Sequence, residues 1–132
     1  MMDYGTDQSP AVLIVEDDAL LRDAFRLLLE ESGYRVLGAG TGDEAVALAR
    51  RERPALMLLD LGLPDRSGMD VIRELRQVDE LSAMPVVALS GRPGRDERQR
   101  CLQAGFSEYL EKPVRPRWLL QELPRLLGLG VD

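Results

Sequence analysis

Short apolar runs alternate along this chain with segments whose apolar residues recur at helical spacing. Ala11-Val12-Leu13-Ile14-Val15 and Ala55-Leu56-Met57-Leu58-Leu59 are unbroken and end in acids, Glu16-Asp17-Asp18 and Asp60. A strand covered by helices on both faces has this pattern. Pro85 to Leu89 is a third such run, delivering Ser90. Tyr34 to Ala39 and Phe106 to Glu111 are weaker strands, the second followed by Lys112-Pro113. Between them, Leu21, Ala24, Phe25 and Leu28 predict a helix capped by Asp18 and ended by Gly33. Thr41-Gly42-Asp43-Glu44 has capping-box spacing and opens a helix to about Arg53. Ser67-Gly68-Met69-Asp70 opens another, with Met69, Ile72 and Leu75 inward. A strongly charged helix from about Arg95 to Ala104 closes at Gly105. The last helix starts near Pro116, with Trp118, Leu119, Leu120, Leu123, Leu126 and Leu127 as its apolar stripe. Pro124 inside it predicts a kink or an early end.

Five strand–helix alternations predict an α/β fold: a five-stranded parallel sheet, helices on both faces, right-handed crossovers. The weakest strand belongs at an edge and the most apolar one at the centre. The flavodoxin-like, doubly wound order 2-1-3-4-5 satisfies both and puts the switch point between the first and third strands. The expected division is a loose tail over 1–10, one domain over 11–128 and a short tail over 129–132. A chain of 132 residues suits one core.

Composition removes several functions. No apolar run is long enough for a membrane span, and the first ten residues lack the features of a signal peptide. The net charge of −6 argues against a nucleic-acid binder. The single Cys101 allows no internal disulfide and fits a reducing cytoplasm. There is no histidine, which excludes histidine triads, histidine metal ligands and a phosphohistidine on this chain. Lys112 is the only lysine among seventeen basic residues. A coding bias accounts for an arginine excess and chance for a lone lysine; the alternative is a position that needs a compact primary amine, which arginine's planar fork cannot imitate.

The strand ends collect the chemistry. The first strand delivers Glu16 and Asp17, the third Asp60, the fourth Ser90 and the fifth Lys112. Singly, each has a plainer reading: acids favouring a helix N-terminus, a turn hydroxyl, a solvated surface charge. Together they surround the switch point. Clustered carboxylates raise each other's pKa, and a hard cation such as Mg²⁺ removes that cost while leaving sites for phosphate oxygens. An Asp beside such an ion can attack phosphorus, with Lys112 and Ser90 serving other phosphoryl oxygens.

Val-Leu-Ile-Val-Glu-Asp-Asp, Leu-Leu-Asp-Leu-Gly-Leu-Pro-Asp-Arg-Ser-Gly, Val-Ala-Leu-Ser-Gly and Tyr-Leu-Glu-Lys-Pro-Val carry a resemblance. From about Ala11 to Leu127 the chain resembles the receiver domain of two-component response regulators. The resemblance implies that Asp60 is the phosphoacceptor, charged by a histidine kinase or a histidine phosphotransfer protein. It implies Mg²⁺ (or Mn²⁺) held by Asp17, Asp60 and the Gly62 carbonyl, with Glu16 acting mainly through water. Ser90 matches the switch hydroxyl, Lys112 the phosphate-binding lysine and Tyr109 the aromatic switch residue. Pro113 matches a proline whose peptide bond is often cis. The expected output face is formed by the last two strand–helix units, which would also serve any homodimer. Slow self-dephosphorylation would end the signal, so no conventional enzyme is expected. Two rivals stand beside this reading. A haloacid-dehalogenase-type phosphatase needs an Asp where Gly62 stands, and a cap domain. A non-phosphorylated interaction module is the other, although such receivers usually lack an acid or the lysine. No output domain fits after Leu127, so a stand-alone regulator and a hybrid-kinase receiver both remain open, as does the output partner.

Overall fold

The computed structural model describes residues 11–92 and 94–130. The expected N-terminal tail and the last two residues lie outside the described residues, and the expected C-terminal tail begins in a tight turn at Gly128–Gly130. Five strands, β1 (Ala11–Val15), β2 (Arg35–Ala39), β3 (Leu56–Asp60), β4 (Val86–Ser90) and β5 (Glu108–Glu111), form one parallel sheet in the order β2-β1-β3-β4-β5. Helices α1 (Ala19–Glu31), α2 (Gly42–Glu52), α3 (Gly68–Arg76), α4 (Arg95–Ala104) and α5 (Pro116–Leu127) connect and follow them.

Alternation along each strand sorts the core into two layers. Leu13, Val15, Met57, Leu59, Val86 and Ala88 pack under α2, α3 and α4, against Val46, Ile72, Leu75 and Cys101. Val12, Ile14, Leu56, Leu58, Val87 and Leu89 face the other way, against Phe25 and Leu29 of α1 and Leu119, Leu123 and Leu126 of α5. Helices cover both faces, which is why β1, β3 and β4 tolerate no polar residue before their last positions.

The caps follow their sequence signals. Asp18 accepts from the amides of Leu20 and Leu21, Thr41 from Glu44 and Ser67 from Asp70. The return half of the α2 box is displaced by one residue: Glu44 accepts from the Gly40 amide at 3.2 Å. A second cap comes from far away in sequence. Asp65, in the β3–α3 loop, accepts from Gly42 at 2.8 Å and Asp43 at 3.0 Å. These bonds hold its carboxyl below the usual range, the Gly42 bond contributing most.

Two helix stripes, one helix end and one strand start differ from the spacing-based expectation. On α1, Phe25 and Leu29 are buried and Ala24 is exposed, because α1 meets the sheet along an i, i+4, i+8 row through Leu21. Trp118 is 39% exposed, since α5 seats Leu119, Leu123 and Leu126 instead. Pro124 does not stop α5, which runs on to Leu127. The proline is exposed, so water can reach the carbonyl that its ring leaves unpaired. Strand β5 starts two residues later than expected because Ser107 substitutes for a ladder residue: its hydroxyl accepts from Val86 N at 3.1 Å.

Gly68 closes the loop that leaves β3. Its amide donates to the Leu61 carbonyl at 3.1 Å, and a Cβ there would lie 2.7 Å from Leu61 Cδ2 and 2.9 Å from Leu61 Cα. The backbones touch where only hydrogen fits. Gly68→Ala is therefore expected to lower stability by about 1–3 kcal/mol in urea unfolding. Gly128→Ala, which meets no atom within 4 Å, is expected to stay within about 0.5 kcal/mol. Equal stabilities of the two variants would contradict this account.

Candidate functional site

Sheet register sets the site's rows. Val15 is level with Leu59, so Glu16 falls level with Asp60 on the neighbouring strand. Asp60 is in turn level with Leu89, and Ser90 is one row further out, beside Glu111. Lys112 follows β5, its amide bonded to the Ser90 carbonyl at 2.8 Å. Only a long side chain can return from there, across β4, to β3. The Lys112 ammonium does so, reaching Asp60 Oδ2 at 2.9 Å and Glu16 Oε2 at 3.4 Å.

Glu16, Asp60 and Ser90 are buried, whereas Asp17 is exposed at the mouth. The other oxygen of Asp60, Oδ1, accepts from the Gly62 amide at 3.0 Å. Glu16 Oε1 accepts weakly from the Asp18 amide at 3.4 Å. An open cleft of about 620 Å³ lies above, lined by Asp17, Asp60, Gly62, Ser90 and Lys112. Its rim carries Met69, Arg92 and Glu97.

Burial, reinforced by hydrogen bonding with Asp60 and its charge, pushes the Glu16 carboxyl above its ordinary 4.5; Lys112 opposes the shift. For Lys112, burial works to lower the pKa. The hydrogen bonds and charges of Asp60 and Glu16 outweigh it and hold the ammonium above its ordinary 10.5. The three acids together carry more negative charge than the Lys112 ammonium neutralises. One oxygen each from Glu16, Asp17 and Asp60 all lie within 4.8 Å of one another. Three hard oxygen donors at that separation, one at a solvent-open mouth, fit Mg²⁺.

Ser90 and Tyr109 share one acceptor. The Ser90 hydroxyl donates to the Arg92 carbonyl at 3.1 Å and accepts from the Arg92 amide at 3.0 Å. The Tyr109 hydroxyl donates to the same carbonyl at 3.2 Å, its ring buried beneath the β4–α4 loop. The Lys112–Pro113 peptide is cis. The structure thus gathers Glu16, Asp17, Asp60, Gly62, Ser90 and Lys112 at one cleft, with Tyr109 behind it. The long-range cap by Asp65 escaped the sequence reading, because no local spacing signals a partner in another loop.

A parallel sheet with an acidic trio and a lysine at its switch point defines a receiver-type signalling domain. Residues 12–124 match the response regulator receiver domain, and the chain belongs to that family. It is 37% identical over 118 residues to the polar-differentiation response regulator DivK of Brucella anthropi, covering 89% of this chain and 96% of that protein. Among solved structures, it resembles a CheY-like receiver domain protein from Methanospirillum hungatei with a TM-score of 0.83 and 30% identity, covering 92% of this chain and 96% of that one. A receiver domain of a signal transduction histidine kinase from Syntrophus aciditrophicus gives 0.81 and 30%, covering 94% and 93%. The chain is accordingly a signalling domain rather than a conventional enzyme. No helix among the described residues is long and apolar enough to cross a membrane.

Because the folded state binds the Glu16 proton more tightly than the unfolded chain, this group opposes folding in full above its raised pKa. The penalty disappears as pH falls through that value and below 4.5. Lys112 behaves oppositely: its contribution is complete below 10.5 and is lost as pH rises through the raised value. In metal-free buffer, carboxyl ¹³C NMR is expected to give a Glu16 midpoint above 4.5. Asp60→Asn is expected to lower it only part of the way, since burial is the larger cause. An unmoved midpoint in that variant would count against the coupling.

Proposed function

We propose that the chain is the phosphoacceptor of a two-component phosphorelay, taking a phosphoryl group onto Asp60 from a phosphohistidine of a histidine kinase or phosphotransfer protein. The observation that carries this reading is the Lys112 ammonium 2.9 Å from Asp60 Oδ2, beside three acids whose oxygens lie within 4.8 Å. In the transfer, an Asp60 carboxylate oxygen forms a bond to phosphorus as the nitrogen–phosphorus bond breaks. The donor imidazole keeps the electron pair and regains a proton from solvent.

Asp17, Asp60 and the Gly62 carbonyl would hold Mg²⁺ (or Mn²⁺), with Glu16 acting through water. Bound there, the ion supplies positive charge for the oxygens of the incoming phosphoryl group. The protein's own groups orient the acceptor. The Gly62 amide fixes one Asp60 oxygen, and Lys112 fixes the other and neutralises charge as it arrives. With no side chain at Gly62, the nearest atom to a Cβ there would be Asp60 Oδ1 at 3.8 Å, so the approach stays clear.

The off-to-on change follows from Ser90. Its hydroxyl is engaged with Arg92 and must turn away from that loop to donate to a phosphoryl oxygen. Tyr109 bonds to the same carbonyl, so the two adjust together. An aspartyl phosphate adds roughly one or two negative charges and about one to three charge-assisted hydrogen bonds. It shifts the equilibrium only as far as the two arrangements bind it differently. The face that changes comprises α4, β5 and α5, which an output partner would read.

Incubation with a small acyl phosphate and Mg²⁺ is expected to add the mass of one phosphoryl group, in a linkage that hydroxylamine cleaves. Asp60→Asn and chelation of the metal are each expected to abolish the adduct. Lys112→Ala is expected to slow its formation by about 10²–10³-fold, the scale of one lost preorganised donor. An adduct of undiminished yield in Asp60→Asn would refute the acceptor assignment.

A further inference from the structure

Asp17 is the one member of the acidic trio with an exposed side chain, and no ion pair or hydrogen bond holds its carboxylate among the described residues. Its aim is set by the two peptides that flank it. On the C-terminal side, Asp18 is locked as the cap of α1, accepting from Leu20 and Leu21. On the N-terminal side, Glu16 N donates to the Ala39 carbonyl at 3.0 Å, tying the turn to β2. The carbonyl that joins Glu16 to Asp17 accepts from Arg22 Nη1 at 2.6 Å.

Arg22 is built into this place. Its own amide bonds to Asp18 O at 2.9 Å, which seats it in the first turn of α1, directly behind the acidic turn. Its stem and guanidinium lie over the end of β2, where the sequence supplies two glycines. A Cβ on Gly38 would collide first with the Arg26 guanidinium and come 3.3 Å from Arg22 Cδ, whereas one on Gly40 would meet Arg22 Nη1 first, at 3.1 Å. Strand β2, which brings no acid or hydroxyl to the cleft, ends in a floor that Arg22 shares with Arg26, Gly40 being the position that makes room for the Arg22 guanidinium. Arg26, one turn on, pairs with Asp23 at 4.0 Å, whereas Arg22 pairs with no acid among the described residues. Its charge is directed at a backbone carbonyl.

We propose that Arg22 is a positioning residue of the metal site: by gripping the Glu16 carbonyl it fixes the peptide that aims Asp17. This rests on the reading of Glu16, Asp17 and Asp60 as a Mg²⁺ site. The physics gives the proposal a sign of its own. A cation near the acids repels Mg²⁺, so removing Arg22 for charge alone would tighten metal binding. If Arg22 aims Asp17, removing it weakens binding despite the lost repulsion.

The test is calorimetric titration of the unphosphorylated protein with Mg²⁺, together with backbone NMR shifts of Asp17 and Asp18. Arg22→Met keeps the apolar stem and loses donor and charge; Arg22→Lys keeps the charge and one donor group. Arg22→Met is expected to weaken Mg²⁺ binding by about 10–100-fold, the range for partners that orient metal ligands. Arg22→Lys is expected to fall between it and the parent. The Asp17 and Asp18 amides are expected to shift in Arg22→Met without added metal. Unchanged or tighter binding in Arg22→Met would overturn the proposal. Should Arg22→Met fail to fold, Arg22→Lys decides: affinity equal to the parent's overturns the proposal. A parent protein that does not bind Mg²⁺, or binds it equally well as Asp17→Asn, overturns the metal-site reading and this inference with it. Parent binding that Asp17→Asn loses and Arg22→Met keeps removes only the role of Arg22.

Discussion

Two carboxylates, Glu16 and Asp60, stand side by side in one row at the rim of a sheet covered on both faces. The parallel register of β1 and β3 enforces that adjacency. Burial denies both groups water, and water is what normally makes such a pair tolerable. The Lys112 ammonium, folded back from beyond β5, answers part of the imbalance by touching both. A point charge with rotatable donors can divide itself between two carboxylates at 3.4 and 2.9 Å. A planar guanidinium would tend to commit to one of them. The remaining negative charge, with Asp17 at the mouth, is what the proposed Mg²⁺ would offset.

The loops bearing these acids are held from outside the cleft, largely by side chains bonded to backbone. Asp65 ties the β3–α3 loop to the amide end of α2, and Gly68 lets that loop close on Leu61. Arg22 grips the Glu16 carbonyl of the β1–α1 turn, and the Glu16 amide ties that turn to Ala39 at the end of β2. Such bonds satisfy backbone groups without drawing on the carboxylates of Glu16, Asp17 and Asp60. The charge in the cleft is thus crowded, but the loops that present it are firm.

The order of the sheet and the membership of the cleft were both legible in the sequence, for a physical reason. Strands buried on both faces cannot hide a polar residue, so the first acid after each apolar run marks the strand end. Once the strand order follows from burial, the residues leaving those ends must converge. Helix faces were less legible. Apolar residues on α1 and α5 outnumber the places available against the sheet, so spacing alone admitted Ala24 and Trp118, which the packing leaves exposed. Long-range polar anchors were not legible at all. Asp65 reaches an amide 23 residues away, and an arginine in an amphipathic helix looks the same whether it meets water or a carbonyl.

The contrast between the two sides of the cleft has a consequence for signalling. On the β4 side, the loop is held by Ser90 and Tyr109, both spending their hydroxyls on the single Arg92 carbonyl. The helix beyond it buries only Cys101. Arg95, Arg98 and Arg100 of that helix are exposed, and little apolar area opposes its movement. A new demand on Ser90 therefore falls on a helix with a single buried side chain, while Asp65 and Arg22 keep the acid-bearing turns in place. On the phosphoacceptor reading, this asymmetry directs the response: a charge added at Asp60 is taken up by repacking toward α4 and β5 rather than by loosening the turns that hold the acids.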